Sequence, residues 1–189
     1  ANWNFDGMEL MRAFLTIVFR YTTRDVGDMA SLLNLPQGKL DLELNTKFMA
    51  QIGSVITEEQ VTTALSIWDQ ASRKLSEMYR HYDVILTPTV ATPPLSSTDL
   101  EPTALEKLMM KALIATGLTS KLFSRNFLNS IINKSLYQTP FTPIANMTGQ
   151  PAMSVPLYWD NDGLPHGAHF MGAIERDYLL HQLAAQLEQ

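Results

Sequence analysis

Apolar residues recur at three- and four-residue spacing through most of this chain, and the spacing breaks at a few defined places. Leu10, Phe14, Ile17, Val18 and Tyr21 share one face, so a helix opens at Asp6 or Gly7. A shorter helix is expected over Asp25 to Leu35, stopped by Pro36-Gln37-Gly38, and a weak third pattern runs from Asp41 to Ile52 with Gly53 as its C-terminal cap. Thr57-Glu58-Glu59-Gln60 has the capping-box form, in which hydroxyl and amide each satisfy a free backbone N–H. Val61, Leu65, Trp68, Ala71, Leu75, Met78 and Tyr82 follow as one stripe.

The period then changes. Val84, Ile85 and Leu86 are three adjacent apolar residues before Thr87-Pro88, which predicts a strand covered on both faces. A long helix leading into a buried strand is the logic of an α/β fold. Thr87 to Asp99 reads as a Pro-rich loop, with Pro88, Pro93, Pro94 and the polar run Ser96-Ser97-Thr98. Glu101-Pro102 starts a helix carrying Leu105, Leu108, Met109, Ala112, Leu113 and Thr116, ended by Gly117. Another helix is expected from Lys121 to Ser135. One or two helical turns follow Thr142-Pro143 and end at Gly149. Ala152 to Tyr158 and His166 to Gly172 read as antiparallel strands, because Asp160-Asn161-Asp162-Gly163 is a tight-turn sequence. Leu179, Leu180, Leu183 and Leu187 mark a closing helix. The expectation is one partial domain over 1–189, with an inserted helical pair at 101–137.

Composition narrows the function classes. With 189 residues, 46% hydrophobic and 17% charged, the chain is ordinary globular protein. Its net charge of −5 lacks the Lys and Arg excess of a general nucleic-acid binder. Residues 101–137 carry five basic and two acidic side chains, so this segment is at +3 and the rest at −8. There is no Cys, which excludes disulfides and thiolate chemistry and fits a reducing, cytoplasmic setting. No apolar run approaches the ~20 residues of a membrane span, so a membrane role is disfavoured. The start at Ala1 lacks an initiator Met and any signal-peptide pattern, and a fragment is expected.

Candidate chemistry is sparse. His166 and His169 are three apart on a strand and point to opposite faces, so they cannot share a metal easily. His81 belongs to a helix C-terminus, and all four His, including His181, have structural readings. Asp160, Asn161 and Asp162 resemble a calcium loop without its closing Glu, and a turn accounts for them. Met109, Met110, Leu113, Phe123 and Phe127 either line an apolar channel or form core. A nucleophilic Ser needs a base and oxyanion donors, yet no Gly-x-Ser-x-Gly elbow, Ser-x-x-Lys, P-loop or dinucleotide fingerprint is present. No cofactor and no metal are expected.

Three motifs nevertheless stand in a recognisable order. They are Tyr82-Asp83-Val84-Ile85-Leu86-Thr87-Pro88-Thr89, the run Pro140-Phe141-Thr142-Pro143-Ile144-Ala145-Asn146-Met147-Thr148-Gly149-Gln150-Pro151-Ala152-Met153-Ser154-Val155-Pro156, and Gly163-Leu164-Pro165-His166-Gly167. Together with Asp6-Gly7-x-x-Leu10 and the closing Leu179-Leu180-x-x-Leu183, they resemble the C-terminal part of the amidase signature family. That resemblance implies a mixed α/β sheet flanked by helices, and amide cleavage by a Ser–cis-Ser–Lys triad. The triad lies in a Gly/Ser-rich segment absent here, so no catalytic residue is carried over. The chain is expected to be about the last two-fifths of an enzyme on small-molecule amides, inactive alone. Thr89, Val90, Tyr137 and Phe141 are the implied substrate-binding residues, because ligands meet open α/β sheets at strand ends. Asn146 and Gly149 are expected to hold the turn before the strand. An incomplete sheet would leave an edge open to self-association. The alternative is a stand-alone module that binds a partner or a membrane surface through the basic helices 101–137.

Overall fold

A computed structural model describes residues 5–93 and 101–188. They gather into two compact units, one from 5–6, 68–93 and 133–188, the other from 7–67 and 101–132. The predicted loop's Pro94, Ser96, Ser97 and Thr98, and the first four residues, lie outside the described part.

The second unit is helical. Helix α1 (Gly7–Leu32) runs without interruption where two helices were expected. No Pro interrupts residues 21–25, and the polar gap is absorbed: Thr22 and Thr23 hydroxyls return to the carbonyls of Val18 and Phe19 at 2.7 and 3.0 Å. Helix α2 (Leu44–Gly53) crosses α1 closely, and Thr23 Oγ1 also reaches Ala50 O at 2.6 Å. A Cβ on Gly53 would collide with the Phe19 carbonyl, so only glycine permits this crossing. Leu10, Ile17, Phe19, Ile52 and Leu128 are buried in this unit.

Helix α3 (Glu58–Met78) begins with the expected capping box: Thr57 N–H donates to Gln60 Oε1 at 2.9 Å, and Gln60 N–H to Thr57 Oγ1 at 3.2 Å. Its buried line is Val61, Ala64, Ala71 and Leu75; Leu65, assigned to that stripe, is 43% exposed. Helix α4 (Ala104–Thr116) starts two residues later than Pro102 suggests, since Thr103 and Glu106 form a second capping box. It contains no buried residue, and Leu105, Leu108 and Met109 stand exposed. The helix expected over Lys121 to Ser135 is broken into three. Leu118–Leu122 is a 3-10 turn, α5 (Arg125–Ile131) restarts where Ser124 Oγ accepts the Phe127 N–H, and Ile132–Leu136 is a π-turn. Phe127 meets Phe48 edge to face at 6.5 Å between ring centroids, both half-buried.

The first unit holds the sheet. Strands β1 (Val84–Pro88), β2 (Ala152–Trp159) and β3 (Pro165–Gly172) are antiparallel in the order β1-β3-β2. The hairpin is as expected. The strand β1 is not covered on both faces: Thr87 is buried while Leu86 is 61% exposed, with no described element packed over the Leu86 side. Among the described residues β1 is also an edge, paired with β3 alone. At the other edge, β2 carries Pro156 and a register irregularity between Pro156 and Tyr158, features that blunt an edge. Helix α6 (Thr142–Thr148) has Pro143 in its first turn and stops at Gly149, whose φ of 76° suits glycine. Helix α7 (Asp177–Leu187) packs on β3 and β2, with Leu180 against Gly172.

Candidate functional site

The C-terminal end of β1 is bonded to β3, to β2 and to the segment before α6. Opposite residues on neighbouring strands share a face, and Thr87, His169 and Ser154 form such a row across β1, β3 and β2. Thr87 Oγ1 and His169 Nδ1 are 3.1 Å apart, both residues buried. Burial pushes the His169 pKa down from its usual 6.5, which favours the neutral ring.

One step further along, Thr89 N–H donates to Gly167 O at 2.9 Å, which continues the ladder past the end of β1. The Thr89 and Ser154 hydroxyls are 2.6 Å apart across β3. That contact passes over Gly167, where an added Cβ would lie 2.5 Å from both oxygens. The strand glycine is what lets two side chains bond across an intervening strand.

The chain beyond Thr89 is held from the other side. Ala91 N–H donates to Gln138 O at 2.7 Å, which ties the exit of β1 to the segment between the π-turn and α6. The bonded residues are the chain neighbours of Val90 and Tyr137, two of the four residues implied by the family resemblance. Tyr137 is 44% exposed; Thr89, Val90 and Phe141 are half-buried. Phe141 is the residue immediately before α6. The Thr89 hydroxyl is already engaged by Ser154, so Thr89 shapes this surface as much as it offers a donor. Ser154 and Gln138 were not singled out by the sequence reading, which gave His169 a structural reading without a partner. The small residues around Gly167 were its one available signal of a close approach.

At the far end of the hairpin, Asp160 organises the turn. Its Oδ1 accepts the N–H groups of Asp162 and Leu164 at 3.0 and 2.9 Å, and its Oδ2 lies 3.0 Å from His166 Nε2. The His166 hydrogen bond, then the Leu164 N–H, hold the Asp160 carboxyl below its usual pKa. His166 also lies against the Tyr158 ring. His166 and His169 therefore serve opposite faces and different partners. Among the described residues no group of three His, Asp or Glu side chains converges on a metal-sized site, and no helix is long and apolar enough to cross a membrane.

Comparison with known proteins adds the family. The model of the Amidase family matches residues 10–180. A lipoamidase of Enterococcus faecalis is 30% identical over 187 residues, covering 97% of this chain and 25% of the relative. A 6-aminohexanoate-cyclic-dimer hydrolase of Pseudomonas sp. (strain NK87) is 26% identical over 181 residues, covering 94% of this chain and 33% of the relative. A solved structure of a 6-aminohexanoate cyclic dimer hydrolase with its substrate superposes with a TM-score of 0.76 at 24% identity, over 95% of this chain and 34% of that one. It shares the fold. The chain thus spans a quarter to a third of the length of these relatives.

Proposed function

This chain belongs to the amidase family, and on that premise we propose that it supplies the scaffold and one wall of the acyl pocket of a longer amide hydrolase. The parent enzyme would cleave a small-molecule amide by acylating a serine that lies outside these 189 residues. The chain alone would be inactive. Substrate contacts would come from Thr89, Val90, Tyr137 and Phe141. The observation that supports this reading is the 2.7 Å bond from Ala91 N–H to Gln138 O, which ties the exit of β1 to the segment before α6, the two stretches that carry these four residues. The names of the two relatives, a lipoamidase and a 6-aminohexanoate-cyclic-dimer hydrolase, also support it. To test the pocket, residues 10–180 would replace the matching segment of an active family enzyme. The chimera should hydrolyse amides, and Phe141→Ala should raise KM far more than it lowers kcat. An unchanged KM would remove Phe141 from the pocket.

A second reading rests on α4. Its exposed Leu105, Leu108 and Met109, flanked by Lys107 and Lys111, form the sort of face that docks on an acidic surface. Liposome association at two salt concentrations separates the readings, and no binding at low salt eliminates this one.

A further inference from the structure

The helical second unit contains a cavity of about 600 Å³ between α1, the start of α3 and α5. That is within the roughly 300–1,000 Å³ of small-molecule sites. Its lining combines buried apolar surface from Ala13, Ala64 and Leu128 with charges of both signs at the mouth. On the positive side stand Arg12, half-buried with Nη1 donating to Asn129 Oδ1 at 3.0 Å, and the exposed Arg125. On the negative side stand Glu9 from the first turn of α1 and Glu59 from the first turn of α3. No ion pair joins Arg125 or Glu59 to another described residue.

We propose that this cavity binds a small zwitterion, a molecule whose carboxylate and ammonium groups are joined by an aliphatic stem. Arg125 and the anchored Arg12 suit a carboxylate, since a planar guanidinium pairs with it through two parallel N–H bonds. Glu59 suits the ammonium, and the stem lies on the Ala13, Ala64 and Leu128 surface. A wholly apolar ligand would strip water from the charged mouth without replacing its hydrogen bonds. A simple anion would leave Glu59 beside it unanswered. This inference is independent of the amide-hydrolase reading.

The test is calorimetric titration of the 189-residue chain with 8-aminooctanoate, octanoate and octylamine. The zwitterion should bind, and each single-charge analogue should bind at least roughly tenfold more weakly. Arg125→Gln and Glu59→Gln, both at exposed positions, should each weaken 8-aminooctanoate by a similar factor. Octanoate binding as well as the zwitterion would overturn the proposal. So would affinity unchanged in both variants, or a folded chain that takes up no 8-aminooctanoate at millimolar concentration.

Discussion

Replacing Gly167 with Ala probes the geometry at the end of β1 directly. The added Cβ would sit 2.5 Å from Ser154 Oγ and 2.5 Å from Thr89 Oγ1, roughly 1 Å inside the 3.5 Å at which non-bonded contact becomes favourable. Relief requires the two hydroxyls to part, which breaks their 2.6 Å bond. Overpacking of this kind costs about 1–3 kcal/mol, and the lost hydroxyl bond adds about 1 kcal/mol. Gly167→Ala should therefore destabilise the chain by about 2–4 kcal/mol. Ser154→Ala alone loses only the bond, about 1 kcal/mol. In the double variant one of the two clashing oxygens is gone, so its loss should fall short of the sum by at least ~1 kcal/mol. Urea unfolding followed by circular dichroism measures all three. At a slope of about 2 kcal/mol/M the single glycine change moves the midpoint by about 1–2 M. A midpoint for Gly167→Ala within ~0.3 M of the parent, or strict additivity in the cycle, would refute the packing argument.

Other expectations concern the rest of the fold. Gly53→Ala should be worse than Gly167→Ala, with more than ~3 kcal/mol lost in the same urea assay, because its Cβ meets a backbone carbonyl that cannot rotate away. A loss under ~1 kcal/mol would mean α1 and α2 are not so close. Two groups predict acid sensitivity in unfolding measured across pH. His169, with its pKa depressed by burial, contributes stability that is complete above pH 6.5 and declines as pH falls below it, because the unfolded chain then binds the extra proton. Asp160, also depressed, contributes above its ordinary 3.8 and loses that contribution as pH falls further. His169→Gln should flatten the first decline, and an unaltered profile would contradict the assignment. Lastly, the exposed edge of β1 should promote self-association that Leu86→Lys suppresses in sedimentation. Equal behaviour of parent and variant would clear that edge.

The helices and the hairpin were legible because their signals are local. Thr57 to Gln60, Gly149 and Asp160 to Gly163 each satisfy or punctuate the backbone with residues adjacent in sequence. What misled was tertiary context. Thr22 and Thr23 look like a break, yet their hydroxyls bond back within the helix and onto α2. Ser124 is a helix cap inside what periodicity reads as one helix. The apolar run Val84 to Leu86 signals a strand with cover on both sides, but Leu86 stands 61% exposed, and no described element packs over that side of β1. The contact between Thr89 and Ser154 joins residues 65 apart and depends on the residue between them having no side chain. Spacing alone carries no trace of it. The cavity in the helical unit likewise gathers charges from α1, α3 and α5 that no single motif holds.

Under the proposed function, these residues brace an amide-cleaving centre whose nucleophile and base lie outside them. Hydrolysis of simple amides by the purified 189-residue chain tests it most directly. The account predicts no turnover above the uncatalysed rate, with or without a serine-directed inhibitor. Turnover that the inhibitor abolishes would contradict it.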